Sequence, residues 1–319
     1  MRLWIPFLIA LCLAVGVACG DDDDASEPVT TPEADATQDE TASDAGDAFP
    51  LTITRSDGAE LTLDQPAERI VSLDPSATEV LYAIGAGDQV VAADLFSNYP
   101  EDVEAKARLD GFQPSPEAIL AEEPDLVLMF ANDTGAVDVL DDLGASVLFL
   151  EVPDSLEGIY ERIELYGQVT GHEEEAADLV DSMTERVDAV VETVADVEQG
   201  PSFFHELDPT LFTISPSSFV GDLYVLLKAQ NIADDSAGEF PQLTSEAVIA
   251  ADPEVIILAD EGGGESLETV QSRPGWSVIN AVVEGRVHQV DPDVANRPGP
   301  RVVELLEILL AYLYPEFAE

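Results

Sequence analysis

The stretch SPEAILAEEPDLVLMF at residues 115–130 recurs 129 residues downstream as TSEAVIAADPEVIILA at residues 244–259. Each copy opens on a hydroxyl residue, Ser115 or Thr244, passes through a short helical pattern, breaks at Pro124 or Pro253, and ends in an unbroken apolar run. Proline pushes the residue before it out of the helical region, and a short apolar run after such a break reads as a strand buried on both faces. Helix plus buried strand is a piece of a parallel α/β sheet. A chain that carries this piece twice is expected to build two similar bodies.

The remaining sequence fits that expectation. FPLTITRSDGAELTLDQP alternates around Asp57-Gly58, a hairpin signal. In RIVSLDPSATEVLYAIGAG an apolar strand near 69–73 precedes Ser76 and Glu79 in capping-box spacing, and the helix stops at Gly85 or Gly87. GDQVVAADLF and AVDVLDDLGASVLFL continue the alternation, and it resumes after Gly200-Pro201. Between the two runs, Leu179, Met183, Val187 and Val190 fall at helical spacing, which predicts a helix of about 25 residues and close to 40 Å. The expected fold is α/β, with two similar lobes of parallel-rich sheet over 49–170 and 199–319, joined by a single long rigid connector helix over 171–198. Strand-end loops converge between such lobes and form the default ligand site. A helical connector resists bending, so small lobe motions are expected.

The amino-terminal end reads differently. Residues 1–18 hold Arg2 and an apolar run too short to span a bilayer, a secretory signal. Gly-Val-Ala-Cys at 16–19 resembles the lipobox of bacterial lipoproteins, which implies a lipidated Cys19 as an anchor to the cell membrane, with a plain cleaved signal as the other reading. The segment from Cys19 to residue 48 carries eleven acidic residues and no basic one, and it reads as a disordered tether. Cys12 and Cys19 are the only cysteines, so the body has no disulfide framework and no thiolate metal site. The chain holds 66 Asp and Glu against 12 Lys and Arg. Most of that excess lies in the body, a field that opposes nucleic acid and anionic headgroups as partners.

The blocks ERIVSLDPSATEVLYAIGAGDQVVAADLFSNYP, EAILAEEPDLVL with EAVIAADPEVIIL, SFVGDLYVLLKAQNIAD and RPGPRVVELLEIL, in this order, resemble the substrate-binding proteins of ABC importers for cobalamin and iron-siderophores. The resemblance covers nearly all of residues 50–316. It implies two lobes on a rigid helix and one metal chelate held between them for delivery to a membrane permease dimer. It also implies permease docking for Glu117 and Glu246, the shared acids of the two repeats. Read from the residues alone, each is the second residue of a helix, where the dipole favours an acid; the two roles are compatible. For the ligand it implies Phe240 on one lobe, with Phe96 and Tyr99 on the facing loop, against a large flat chelate. The sequence departs from the cobalamin pattern where a tryptophan is expected: Gly111 or Phe112 stands there. His205 and Glu206 end the first strand of the second lobe, a cleft-facing position in this architecture. His205 could ligate cobalt, contact a ligand edge, or hydrogen-bond within the site; Arg297 could neutralise an acidic ligand group.

The function expected is therefore an extracytoplasmic carrier of a corrinoid, or else of a ferric siderophore or haem. It is no enzyme and needs no resident cofactor, because the cobalt or iron chelate is cargo. A monomeric body is expected. Bare transition-metal capture would need several converging ligands, and His172, His205 and His288 lie far apart in the sequence. Gly-x-Ser-x-Gly, HExxH, P-loop and strand-linked GxGxxG patterns are missing. An exported chelatase-like enzyme and a surface lipoprotein with a degenerate cleft are the remaining alternatives.

Overall fold

The computed structural model describes residues 49–260 and 264–317. The signal, Cys19 and the acidic segment, with the readings attached to them, lie outside the described residues.

A hairpin comes first, β1 (Leu51–Thr54) antiparallel to β2 (Glu60–Leu63). It turns at Gly58, whose φ of 82° suits a residue without a β-carbon. The first lobe then places β3 (Ile70–Ser72), α1 (Pro75–Ala83), β4 (Val90–Asp94), β5 (Ala107–Leu109), α2 (Pro116–Ala121), β6 (Leu126–Met129), α3 (Ala136–Asp142) and β7 (Val147–Phe149). Its five strands are parallel in the order β5-β4-β3-β6-β7. Helices α4 (Leu156–Thr170) and α5 (Glu173–Thr193) follow. The second lobe runs β8 (Ser202–Glu206), α6 (Phe219–Leu226), β9 (Gln230–Asn231), α7 (Ser245–Ala251), β10 (Val255–Leu258), α8 (Leu267–Ser272), α9 (Asn280–Val283), β11 (Val287–Gln289), α10 (Pro292–Ala295) and α11 (Val302–Leu313). Its strands are parallel in the order β11-β10-β8-β9.

The repeated stretches form α2-β6 and α7-β10. Ser115 Oγ accepts from the Ala118 N–H and Thr244 Oγ1 from the Ala247 N–H, so each helix begins on the same side-chain cap. All residues of β6 and β10 are buried. Each pairs with the first strand of its sheet, β3 or β8. The sheet order therefore reverses between β3 and β6 and between β8 and β10, and the crevice at such a reversal is where α/β sheets bind ligands.

The connection between the sheets is broader than one helix. Gly171, with φ of 75°, closes α4 before α5 begins. The two helices pack so closely that a β-carbon on Gly167 would lie 2.5 Å from Ala176 Cβ. Helix α11 returns against α5, tied by Arg186 to both carboxylate oxygens of Glu307 at 2.9 and 2.8 Å. A continuous apolar core joins Ile70, Leu126 and Leu128 of the first sheet, through α1, α4 and α5, to α6, α11 and Phe203 and Ile257 of the second. Smaller cores fill the outer faces, around Ile119, Val137 and Leu140 and around Val248, Trp276 and Ile279. Wide opening of the lobes would expose the shared core to water, so small motions are expected.

Candidate functional site: the cleft between the lobes

The carboxyl ends of the first sheet and the segment after β11 enclose a cavity of about 400 Å³, within the range of small-molecule sites. One wall is aromatic. Phe96, Phe112 and Phe130 follow β4, β5 and β6 and meet edge to face, with ring centroids 5.7 Å apart at each step and interplanar angles of 80° and 88°. Phe96 and Phe112 are 57% and 59% exposed, so their rings are not spent on the protein's own core.

Asp94 fixes this ladder. Its Oδ1 accepts from the Phe96 N–H and its Oδ2 from the Gly111 N–H, both at 2.7 Å. Burial raises the carboxyl above its ordinary range, and the backbone donors oppose that rise. A β-carbon on Gly111 would stand 2.5 Å from Asp94 Oδ2 and 2.7 Å from the Leu73 carbonyl oxygen. The position next to Asp94 thus takes glycine, and the aromatic residue falls on Phe112.

The cavity floor holds Asp74, Arg162 and Tyr166. Asp74 caps α1, its Oδ1 accepting from the Ser76 N–H at 2.8 Å. Burial raises this carboxyl, opposed by the Ser76 N–H and by Arg162. Burial also pushes the Tyr166 hydroxyl up to about 12. Arg162 donates to the Glu151 carbonyl oxygen at 2.7 Å and brings a cation to the floor. The opposite wall comes from Pro292, Asp293, Asn296 and Arg297.

Several expected contacts change place. His205 does not face the cleft: it is fully buried on β8, its Nδ1 2.8 Å from the Tyr224 hydroxyl, and burial lowers its imidazole to about 3. Its side chain shares a sheet face with Phe203, which stacks on Tyr224, because alternate residues of a strand point the same way. Glu206 is also fully buried, clamped by Arg273 at 2.6 and 2.5 Å. That internal ion pair, not a ligand, takes its carboxylate. Tyr99 lies under the Arg301 guanidinium, 4.5 Å from its ring centroid, and borders a second cavity. Arg297 does line the cleft, but four hydrogen bonds to Glu79, Asn98, the Phe96 carbonyl and Asp293 occupy its guanidinium. Phe240 is 45% exposed and is not among the residues lining the cavity. Its neighbour Glu239 is raised by burial and by Asp154, next to the cleft residue Pro153. Glu117 and Glu246 are exposed in the first turns of α2 and α7.

Sequence reasoning missed Arg162 and Phe130, although both carry a signal. Arg162 interrupts the buried stripe Leu156, Ile159, Ile163 and Tyr166 of α4, and Phe130 directly follows an all-buried strand. Among the described residues no group of three or more His, Cys, Asp or Glu is arranged to hold a metal.

Two parallel α/β lobes around a cavity with an aromatic wall define a two-lobed solute-binding protein. A profile of the periplasmic binding protein family matches residues 70–294, and the chain belongs to that family. It is 31% identical over 322 residues to the ABC transporter substrate-binding lipoprotein YvrC of Bacillus subtilis (strain 168), covering 98% of this chain and 97% of that one. A cobalamin-binding protein of Halobacterium salinarum (strain ATCC 29341 / DSM 671 / R1) is 30% identical, over 81% of this chain and 72% of its own. The structure of an ABC-type Fe3+-hydroxamate transport system from Saccharomonospora viridis DSM 43017 superposes with a TM-score of 0.71 at 26% identity, covering 83% and 99% of the two chains.

Proposed function

We propose that this chain captures a large, flat metal chelate of the corrinoid class between its lobes and hands it to an ABC permease. The observation that carries this reading is the ladder of Phe96, Phe112 and Phe130 along one cleft wall, with Phe96 and Phe112 exposed. Aromatic rings bury much area at little conformational cost, which suits a rigid macrocycle. The cobalamin-binding relative supports the same ligand class. Phe240 would approach the ligand from the second lobe. No bond is made or broken; retention and release rest on differential affinity between free and docked states.

Glu117 and Glu246 stand at matched positions on the two lobes, one on each repeated helix. A permease dimer with paired basic groups would engage both. Lipidation of Cys19 would keep a monomeric carrier at the outer face of the cell membrane beside that permease. The lipoprotein relative supports this placement.

A second reading has its own observation: Arg162 brings a cation to the cavity floor, which suits the carboxylates of haem or of an anionic ferric siderophore. Calorimetric titration with cyanocobalamin, cobinamide, haem and two ferric siderophores separates the two. Fluorescence is the poorer probe, because Trp276 lies buried in the outer core of the second lobe. One-to-one binding of a corrinoid, weakened about tenfold by Phe112→Ala, supports the first reading. Binding of haem or siderophore alone, lost on Arg162→Ala, replaces it with the second.

A further inference from the structure

The two lobes meet beside the cleft through a buried ionic cluster that no ligand contact explains. Its centre is Glu79 of α1, a residue of the first lobe that is only 3% exposed. Its two carboxylate oxygens accept from second-lobe arginines: Arg297 Nη1 at 2.9 Å, and Arg301 Nε and Nη2 at 2.8 and 2.5 Å. Arg297 extends the cluster. It donates to Asn98 Oδ1 at 2.8 Å and to the Phe96 carbonyl at 2.9 Å in the first lobe, and to Asp293 at 2.6 Å in its own. Asn98 Nδ2 in turn donates to Asp293 Oδ2 at 2.6 Å.

The consequence is geometric. Phe96 begins the aromatic wall, and Asp293 and Arg297 belong to the wall opposite. A single carboxylate therefore couples the separation of the walls to the pose of the loop that carries the first ring. Around Glu79 the charged hydrogen bonds are stiff and directional, because water hardly reaches that carboxylate, whereas the Asn98–Asp293 arm is exposed. Removing one partner leaves buried charge uncompensated.

We propose that Glu79 is a positioning residue for ligand capture, holding Arg297 and Arg301 so that the two cleft walls stand at their working separation before any ligand arrives. The proposal rests on the reading of the cleft as the ligand site, and it adds that the site is pre-set. A pre-set site loses little ordering entropy on binding. If loss of the cluster leaves about a tenth of molecules in the working geometry, apparent affinity falls about tenfold.

The test is a distance measurement that needs no ligand. Spin labels go on Val139→Cys in α3 and Val283→Cys in α9, exposed positions on the outer helices of the two lobes. The host is the full chain carrying Cys12→Ser and Cys19→Ser. Pulsed electron paramagnetic resonance of the native cluster should give one narrow distance distribution. Glu79→Gln, checked for native near-ultraviolet dichroism, should give a broader or displaced one, with weaker cyanocobalamin binding in calorimetry. If Glu79→Gln does not fold, Arg301→Lys, which keeps the positive charge but removes the two-pronged grip on Glu79, decides in its place. A distribution in the folded variant that superimposes on the native one overturns the proposal, even if the melting temperature falls. If none of the chelates binds either protein, the functional reading fails, while the distance result still decides the role of Glu79.

Discussion

Asp260, two residues past β10, gives the sharpest test of the electrostatics in the second lobe. Neither of its carboxylate oxygens has a hydrogen-bond partner among the described residues, and the residue is 8% exposed. Burial raises its carboxyl from an ordinary 3.8 to about 7, with Glu206 and Glu265 adding to the rise and Arg273 opposing it. At about 1.4 kcal/mol per pH unit, that gap is worth at most about 4 kcal/mol. Solvent at the edge of the cluster screens its neighbours, so about half, ~2 kcal/mol, is expected. The sign follows from proton uptake. Between about pH 4 and 7 the folded chain holds a proton on Asp260 that the unfolded chain has lost, so this stabilisation is complete below pH 4 and disappears as pH rises through 7. Asp260→Asn mimics the neutral acid at every pH. Urea unfolding of native and variant protein should give similar stabilities near pH 4.5, with the variant ahead by ~2 kcal/mol at pH 8. A difference that is the same at both pH values would refute the reasoning.

Gly111→Ala should force Asp94 away from its two backbone donors, costing about 3–6 kcal/mol for two charge-assisted bonds and disordering the aromatic wall; denaturant unfolding and chelate titration read both effects. Phe112→Ala, at a ring 59% exposed, should change stability by less than about 1 kcal/mol yet weaken chelate binding by about tenfold, since it removes the middle of the ladder. Equal losses in stability and binding would place that ring in the core instead. The pair Glu117→Ala and Glu246→Ala should keep calorimetric ligand affinity and abolish uptake in cells with the matching permease, at a cost below about 1 kcal/mol per helix terminus. A matching loss of ligand affinity would end the docking assignment.

Much of the architecture is legible along the chain because the forces that set it are local. The serine and threonine caps at 115 and 244, the prolines at 124 and 253, and the all-apolar strands behind them specify the two sheets within about sixteen residues each. Phe96 at the cleft follows from the same logic, since a residue just past a parallel strand stands at the ligand end of the sheet. The fates of His205, Glu206, Tyr99 and Arg297 are not written locally. A strand residue points to one face or the other, and whether that face is cleft or core depends on what packs there, as Tyr224 does over His205. A guanidinium binds whichever carboxylate the fold delivers, and for Arg297 that is Glu79, 218 positions away. Local propensity specifies which elements form, whereas only the closed tertiary structure decides which charges are consumed in holding the lobes together and which remain for a ligand, because burial and pairing are properties of the neighbours and not of the residue.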